Sequence, residues 1–439
     1  MTTAAQVPSQ NNVLDGNLRL MNRWWAVVGA ILMQLCLGAI YAWSVYTPLL
    51  VKAGWSKTQT QAVFSLGLAT FAVVMVIAGQ FLPRPAVGPR KLAVASGIVL
   101  GAGYMLAGLL GGESFWVTFL CVGFLGGAGI GLGYVVPIAV GMKWFPDKKG
   151  LITGLAVAGF GFGATLWMTM ADKLGALGGG HLLATLGLSK TFLVYGIAYL
   201  VLVLIGSIWM VFPPDGWKPA GWTPPPPKPG HIAVADLSAS QMLATVQFYM
   251  IFLCFVFGAG AGLMSIGLMK LFPMPALMDG GLTREEASAV ATMAMAVCFA
   301  LANGIGRIAW GIISDKIGRK ASIIIMMLTQ GVFVILFQWM AGSPWTLYLF
   351  AVLIGFNFGG NFALFPTLTA DTFGLKRVGQ NYAWVFLAYG IGGIFGPMLG
   401  GKLGDLKNFG LAFTICGILC LVAGMIIVGV RTPQVRQSV

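Results

Sequence analysis

The sequence is poor in charged residues, and this shortage excludes several classes of protein. Of its 439 residues only 9% are Asp, Glu, Lys or Arg, whereas 58% are hydrophobic and 63 are glycine. A soluble globular domain carries about 25% charged residues, so this chain cannot cover a water-facing surface. Intrinsic disorder is excluded because the hydrophobic fraction is too high. Unbroken hydrophobic stretches of about 20 residues instead predict an all-α membrane protein rather than a barrel of short alternating strands.

Cysteine and histidine are also scarce, with six and two residues. The cysteines lie inside hydrophobic stretches without a CxxC or Cys/His cluster, so we expect no disulfide, metal site or cofactor. The predicted spans hold no nucleophile–base pair, so we do not expect an enzyme. The net charge of +14 would suit nucleic-acid binding, but the basic residues lie in short loops, where they set membrane orientation. The expected partners are the lipid bilayer and a small solute, and the chain is expected to be a monomer.

The hydrophobic stretches predict twelve spans with one long polar interruption. This interruption contains four consecutive prolines, which predict an extended linker. The predicted organisation is a tail at 1–23, a six-helix bundle at 24–212, the linker at 213–245, a second six-helix bundle at 246–430 and a tail at 431–439. The spans are predicted at 24–47, 61–82, 92–111, 115–140, 151–171, 191–212, 246–269, 287–313, 321–341, 346–368, 383–401 and 410–430.

The distribution of Lys and Arg predicts the orientation of these spans. With the N-terminus inside, the inner loops and tails hold roughly twice as many basic residues as the outer loops. This asymmetry places both termini in the cytoplasm. We therefore predict a multi-pass protein of the plasma membrane, and the short tails favour a bacterial inner membrane.

The two halves of the chain resemble each other. GLGYVVPIAVGMKWFPDKKGLITGLAVAGFGFG at 131–163 and GGNFALFPTLTADTFGLKRVGQNYAWVFLAYGIG at 359–392 both give a hydrophobic helix, a Phe, a basic pair, a Gly and a Gly-rich helix. The loops at 79–91 and 311–320 also correspond. Parallel six-helix repeats are typical of transporters whose site lies near the bilayer midplane between the halves. A passive channel is less consistent with this repeat.

Several motifs resemble a known family. GIISDKIGRK at 311–320 and GGIFGPMLGG at 392–401 are similar to motifs of the major facilitator superfamily, although the first-half loop has Pro83 where the family usually has Asp. GAIYAWSVYTPLL (38–50), NGIGRIAWGIISDKIGRK (303–320) and NYAWVFLAYGIGGIFGP (381–397) resemble its oxalate:formate antiporter branch, close to the monocarboxylate transporters. The resemblance implies two pseudo-symmetric six-helix bundles and alternating-access transport of small organic anions.

Arg307 is an isolated charge inside a predicted span. It lies eight residues before Asp315, which corresponds to about 12 Å from the end of the helix. A charge at this depth costs at least ~2.5–3.5 kcal/mol unless it meets water or a partner. All twelve carboxylates fall in predicted loops, tails or helix ends. We therefore expect an anion from solution to bind the guanidinium, whose planar fork matches a carboxylate. The alternative is an arginine that extends to the interface or binds helix carbonyls.

Other candidates surround this position. Asn303 lies one turn before Arg307 on the same face and is predicted to orient the guanidinium or to donate to substrate. By resemblance, Arg307 matches the family's substrate-binding arginine, and Tyr389 stands where the oxalate exchanger pattern has a lysine. One cation instead of two favours a monoanion over a dianion. Tyr41 and Tyr134 lie mid-span and are expected to face the interior, because their hydroxyls need partners. Further candidates on the tenth span are Asn357, Phe358 and Asn361.

Two features predict how such a transporter changes state. By resemblance, the loop charges Asp315, Arg319 and Lys320 are expected to close the cytoplasmic face when the transporter faces outward. Small residues on the fifth and eleventh spans, including Gly396 beside Pro397, predict close contacts that slide between the halves.

The sequence therefore predicts a secondary active transporter of small organic anions. Monocarboxylates such as lactate, pyruvate or formate suit the single cation, and exchange of one anion for another needs no mid-membrane carboxylate. Proton-coupled monocarboxylate symport and oxalate:formate exchange stay open as alternatives. By resemblance, Asn303 replaces a proton-carrying Asp of animal monocarboxylate transporters, which argues against symport by that mechanism.

Overall fold

The computed structural model describes residues 21–46, 57–171, 182–223, 236–269, 272–406 and 408–431, with short pieces at 14–15, 18–19, 49–50 and 53–55. Twelve helices of these regions are long and hydrophobic enough to cross a membrane, which confirms the predicted all-α fold. Two short strands, Leu14–Asp15 and Leu18–Arg19, form an antiparallel pair ahead of the first helix. The four consecutive prolines of the predicted linker lie outside the described residues.

The helices fall into two groups of six along the chain. The first six are helix 1 (Trp24–Leu37, continued by the 3₁₀ segment Gly38–Val45), helix 2 (Lys57–Phe81), helix 3 (Gly88–Leu110), helix 4 (Phe115–Thr118, the π-helical Phe119–Gly126 and Gly127–Trp144), helix 5 (Lys149–Ala171) and helix 6 (Leu182–Ser207). The second six are helix 7 (Val246–Leu268), helix 8 (Arg284–Met293, the π-helical Ala294–Phe299 and Ala300–Ile317), helix 9 (Arg319–Met340), helix 10 (Pro344–Phe373), helix 11 (Val378–Asp405) and helix 12 (Phe409–Val428). Two short helices, Ala239–Leu243 and Pro273–Asp279, precede helices 7 and 8.

Packing divides the helices into the same two groups. Helix 3 packs on helix 6, helix 1 on helix 5 and helix 2 on helix 4; in the second half helix 7 packs on helix 11, helix 9 on helix 12 and helix 8 on helix 10. The halves meet where helix 5 contacts helices 8 and 10 and where helix 11 contacts helix 2. We call the membrane side at which helix 1 begins the N-terminal side.

Helix 8, which carries Arg307, has well-defined ends. Thr283 Oγ1 accepts a hydrogen bond from the Glu286 N–H at 3.3 Å, and Glu286 Oε2 accepts one from the Thr283 N–H at 2.9 Å. These bonds form a capping box. The carboxylate accepts hydrogen bonds from the Thr283 N–H and hydroxyl, which hold the pKa of the Glu286 carboxyl below its ordinary value. The helix ends at Gly318, whose φ of 91° a residue with a side chain rarely adopts. The two ends together fix the position of Arg307 along the helix.

Candidate functional site

Arg307 points into the interface between the halves. Its side chain is completely buried. Nε donates to Asn303 Oδ1 at 3.2 Å, and Nη1 donates to the Val157 carbonyl of helix 5, in the opposite half, at 2.9 Å. Nη2 has no hydrogen-bond partner among the described residues. Arg307 therefore does not extend to the molecular surface. Its bond to the Val157 carbonyl is, however, a helix-carbonyl contact of the kind that the alternative interpretation of Arg307 expects.

The charge of Arg307 is not neutralised by the described part of the chain. Four ion pairs occur there, and none includes Arg307. Its guanidinium carbon lies 4.0 Å from the ring centroid of Phe362 and 5.4 Å from that of Phe160. Each cation–π contact contributes about 0.5–2 kcal/mol, but neither ring supplies an opposite charge. An anion would supply the missing compensation.

Aromatic side chains from both halves surround the guanidinium. Tyr134 and Tyr41 pack edge-on against Phe160 at centroid distances of 5.3 and 5.2 Å, and Phe362 packs edge-on against Tyr389 at 5.5 Å. We call this set the aromatic cage. It consists of Tyr41, Phe71, Tyr134, Phe160, Phe362, Phe386 and Tyr389.

The cage contains hydroxyl groups as well as rings. The hydroxyls of Tyr41 on helix 1 and Tyr389 on helix 11 are hydrogen-bonded to each other across the two halves. The Tyr134 hydroxyl has no hydrogen-bond partner among the described residues and lies near the charged guanidinium of Arg307. O–H groups beside an unpaired guanidinium N–H form a set of donors that suits a small anion.

Three candidates on helix 10 lie outside this cage. Asn357 Oδ1 accepts a hydrogen bond from Trp310 Nε1 at 3.2 Å, and its Nδ2 donates to Thr329 Oγ1 at 2.9 Å, so the amide links helices 8, 9 and 10. Asn361 lies one turn later and donates to the Phe358 carbonyl at 3.0 Å, while its Oδ1 has no partner among the described residues. Phe358 packs edge-on against Phe362 at 5.3 Å.

Sequence reasoning did not identify the phenylalanines of the cage. Phe160 and Phe362 contact the guanidinium directly, and Phe71 and Phe386 complete the enclosure. The chain has 29 phenylalanines, most of which are equally consistent with core or lipid-facing positions. Their distance in sequence from Arg307 left no pattern that would have distinguished these four.

A cluster of ion pairs joins the halves on the N-terminal side. Asp315 Oδ1 and Oδ2 accept hydrogen bonds from the backbone N–H groups of Gly150 and Leu151, at 3.0 and 2.8 Å, at the start of helix 5. Arg319 pairs with Asp315 at 2.6 Å and with Asp371 at 3.3 Å. We call these contacts, together with the ion pair described next, the latch.

The remaining ion pair of the latch was not foreseen. Lys149 Nζ lies 2.8 Å from Asp371 Oδ1, which connects helix 5 to helix 10 across the halves. Predicted span 10 ended at residue 368, whereas helix 10 continues to Phe373 and therefore includes Asp371. Lys320 takes part in none of the four ion pairs of the described residues.

Glycines bring the two halves into backbone contact on this side. A Cβ on Gly154 would lie 2.3 Å from the Arg307 carbonyl oxygen, and one on Gly150 would lie 2.4 Å from that of Gly311. The expectation for Gly396 is wrong, because its Cβ would lie 2.1 Å from the carbonyl oxygen of Gly260 in the same half. Gly392 and Gly396 lie four residues apart on one face of helix 11, and both approach the backbone of helix 7. Pro397 follows Gly396 inside helix 11.

Comparison with known proteins agrees with this architecture. The model of the Major Facilitator Superfamily matches the chain twice, over residues 26–282 and 268–438. The chain belongs to the Major Facilitator Superfamily. The fold also matches the solved structure of the fucose:proton symporter of Escherichia coli, with a TM-score of 0.65, 13% identity and coverage of 93% of this chain and 98% of that chain.

Relatives within the superfamily include carriers of small carboxylates by name. The chain is 27% identical to the oxalate:formate antiporter of Oxalobacter formigenes, over 92% of this chain and 90% of the relative. It is 25% identical to apicoplast pyruvate carrier 1 of Toxoplasma gondii, with 83% and 81% covered. It is also 25% identical to monocarboxylate transporter 3 of Rattus norvegicus, with 91% and 78% covered. The predicted resemblance to this branch is confirmed.

Proposed function

We propose that this superfamily member transports small monocarboxylates, such as formate, lactate or pyruvate, by alternating access between its two halves. In this proposal the anion binds Arg307, with Asn303 orienting the guanidinium. The Tyr134 hydroxyl and whichever hydroxyl of the Tyr41–Tyr389 pair keeps a free proton donate to the carboxylate. The names of the three relatives support the substrate class. The proposal assigns no catalytic role to the chain.

One observation carries the proposal: Arg307 is buried, has a free Nη2 and has no carboxylate partner among the described residues. A bidentate contact between a guanidinium and a carboxylate satisfies both the charge and the free N–H groups. Tyr389 contributes a hydroxyl rather than a second cation, so a dianion would bring one unpaired charge into the cage. This difference favours a monoanion over oxalate.

The latch and the glycine contacts explain how the site would face one side at a time. In this proposal the latch closes the N-terminal side, and the hydrogen bond from Arg307 to the Val157 carbonyl holds the two halves together beside the cage. We propose that this side is cytoplasmic, because the excess of basic residues lies there. We also propose that the membrane is the plasma membrane of a bacterial cell. Both halves of the site come from one chain, so a monomer suffices.

The proposal is tested by measuring binding of formate, lactate, pyruvate and oxalate to the purified protein with calorimetry. We expect a monocarboxylate to bind and Arg307→Ala to weaken it about tenfold to 100-fold, because a hydrogen bond to a charged group is worth about 1.5–3 kcal/mol. Arg307→Lys keeps the charge but not the planar fork, so it should bind more weakly than the native protein and more tightly than Arg307→Ala.

Arg284→Gln provides a matched control. This arginine lies at the exposed start of the same helix, so its loss changes the net charge without changing the cage. Its affinity should equal that of the native protein. Binding that survives Arg307→Ala, or that Arg284→Gln weakens equally, would remove the proposed site.

A further inference from the structure

The two corresponding interhelical loops on the N-terminal side differ in whether their basic residues are paired with carboxylates. In the second half, Arg319 is paired with both Asp315 and Asp371. The first-half loop, between helices 2 and 3, has Pro83 at the position of the aspartate and carries Arg84, Arg90 and Lys91. None of these three takes part in an ion pair within the described regions.

Their contacts are with neutral groups instead. Arg90 donates to the carbonyl oxygen of Ile208, and Lys91 Nζ donates to that of Ala86 at 2.7 Å. The Arg84 guanidinium lies 4.4 Å from the ring centroid of Phe81. All three basic side chains belong to exposed residues. The first turn of helix 3 holds two of them, at the end where the helix dipole is positive and disfavours cations. The fold therefore concentrates positive charge here without compensating it.

These cations line one open groove of about 340 Å³, which we call the helix 2–3 groove. Its opposite wall is the end of the first half, Met210, Val211 and Phe212. The groove thus combines three basic side chains with a hydrophobic wall. Lys143 lies 3.8 Å over the ring of Phe212, and its charge interacts with those of Asp215 and Asp236.

The groove lies beside aromatic residues that are typical of the membrane interface. Trp25 stacks on Trp209 with ring centroids 5.0 Å apart, and Trp24 and Trp25 are each 47% exposed. Tryptophan concentrates at the depth of the lipid headgroups. Basic residues are expected on the cytoplasmic side for orientation alone, but orientation does not require three of them to converge on a groove with a hydrophobic wall.

We propose that the helix 2–3 groove binds the headgroup phosphate of an anionic phospholipid. Arg84, Arg90 and Lys91 contact the phosphate, and an acyl chain lies along the partly exposed Val211 and Phe212. A free phosphate would supply the same charge, but the hydrophobic wall and the adjacent tryptophans favour a lipid. This site is separate from Arg307 and does not depend on the proposed substrate.

The test is native mass spectrometry of the purified full-length protein titrated with phosphatidylglycerol, phosphatidylcholine or inorganic phosphate. Each Lys or Arg near an anionic lipid surface contributes about 1 kcal/mol, so Arg90→Gln/Lys91→Gln should lower phosphatidylglycerol affinity at least about tenfold. Lys376→Gln/Arg377→Gln is the matched control, because these residues are exposed on the same side and remove the same charge. The control pair should bind phosphatidylglycerol as the native protein does.

Three results would overturn the proposal. Equal loss of affinity in both double variants would show general charge attraction. Equal affinity for phosphatidylcholine and phosphatidylglycerol would show that the groove does not select the anionic headgroup. Equal affinity for inorganic phosphate and the lipid would exclude the lipid assignment. If Arg90→Gln/Lys91→Gln fails to fold, Arg84→Gln tests the same groove. Arg90 and Lys91 each donate to a backbone carbonyl, whereas the contact described for Arg84 is with the Phe81 ring. An unchanged phosphatidylglycerol affinity in Arg84→Gln would then also overturn it.

Discussion

The charge of the proposed site is set by single side chains, and Tyr389 is the most informative of them. It is buried in the aromatic cage, stacked on Phe386 at 5.0 Å and hydrogen-bonded to Tyr41. Tyr389→Lys would place a second cation in the cage. Two unit charges 4 Å apart interact by about 4 kcal/mol at an effective dielectric constant of 20, and desolvation cancels part of this. We expect the oxalate-to-formate affinity ratio to rise at least about tenfold, as measured by calorimetry.

Tyr389→Phe is the control for this change, because it removes the hydroxyl without adding charge. It should leave the oxalate-to-formate ratio close to that of the native protein. A ratio that Tyr389→Lys fails to raise, in a variant that still binds formate, would contradict the assignment of Tyr389 to the anion site.

At this scale, the sequence predicted polar residues better than their surroundings. Arg307 was conspicuous because a charge within a hydrophobic run needs a reason, and Asn303 followed from helical spacing. The structure places both in one hydrogen-bonded pair. Val157 could not be predicted, because a backbone carbonyl carries no sequence signal. Phe160 and Phe362 could not be predicted either, because contacts between helices depend on the packing of both halves.

Among the elements, helices 5, 9 and 10 are linked at the latch by one carboxylate of helix 10. Asp371 pairs with both Lys149 and Arg319. Asp371→Asn should therefore reduce the population in which the N-terminal side is closed. Only the pair with Lys149 crosses the halves, and a partly exposed ion pair contributes about 0.2–1 kcal/mol, so we expect a shift of at most about fivefold. Distances between spin labels on helices 5 and 10 would measure this shift by double electron–electron resonance.

Asp279→Asn serves as the comparison, because this exposed carboxylate lies at the end of the short helix Pro273–Asp279, away from the latch. It should leave the distance distribution unchanged. An unchanged distribution in Asp371→Asn would mean that the Asp315 hydrogen bonds and the glycine contacts hold this side closed without Asp371.

Helix number was predictable, whereas helix ends were not. The count of twelve follows from hydrophobic length, which the bilayer thickness dictates. The tenth span was predicted to end at residue 368, ahead of the polar segment TADTF, yet helix 10 continues to Phe373. A polar sequence can stay helical when another helix packs against it, as helix 5 does here. This extension is what brings Asp371 to the latch.

For the molecule as a whole, the internal repeat predicted two bundles but not which contacts join them. Gly150 and Gly154 of helix 5 contact the other half, whereas Gly159 and Gly163 of the same helix contact helix 1. Both sets are alike in sequence, and only the rotation of the helix in the folded protein separates them. The same ambiguity explains why Gly396 was placed between the halves.

The coupling of transport follows from the bond that crosses the interface. Opening the N-terminal side must break the contact between Arg307 and the Val157 carbonyl. Without an anion only water can replace this bond, and the net loss of a hydrogen bond to a charged group costs about 1.5–3 kcal/mol. An anion on Arg307 offsets this cost. We therefore expect lactate or formate efflux from proteoliposomes to be about tenfold to 100-fold faster with a counter-anion outside than without one. Equal rates with and without the counter-anion, combined with accumulation driven by a proton gradient, would contradict exchange and would instead identify a proton symporter whose empty carrier returns without an anion.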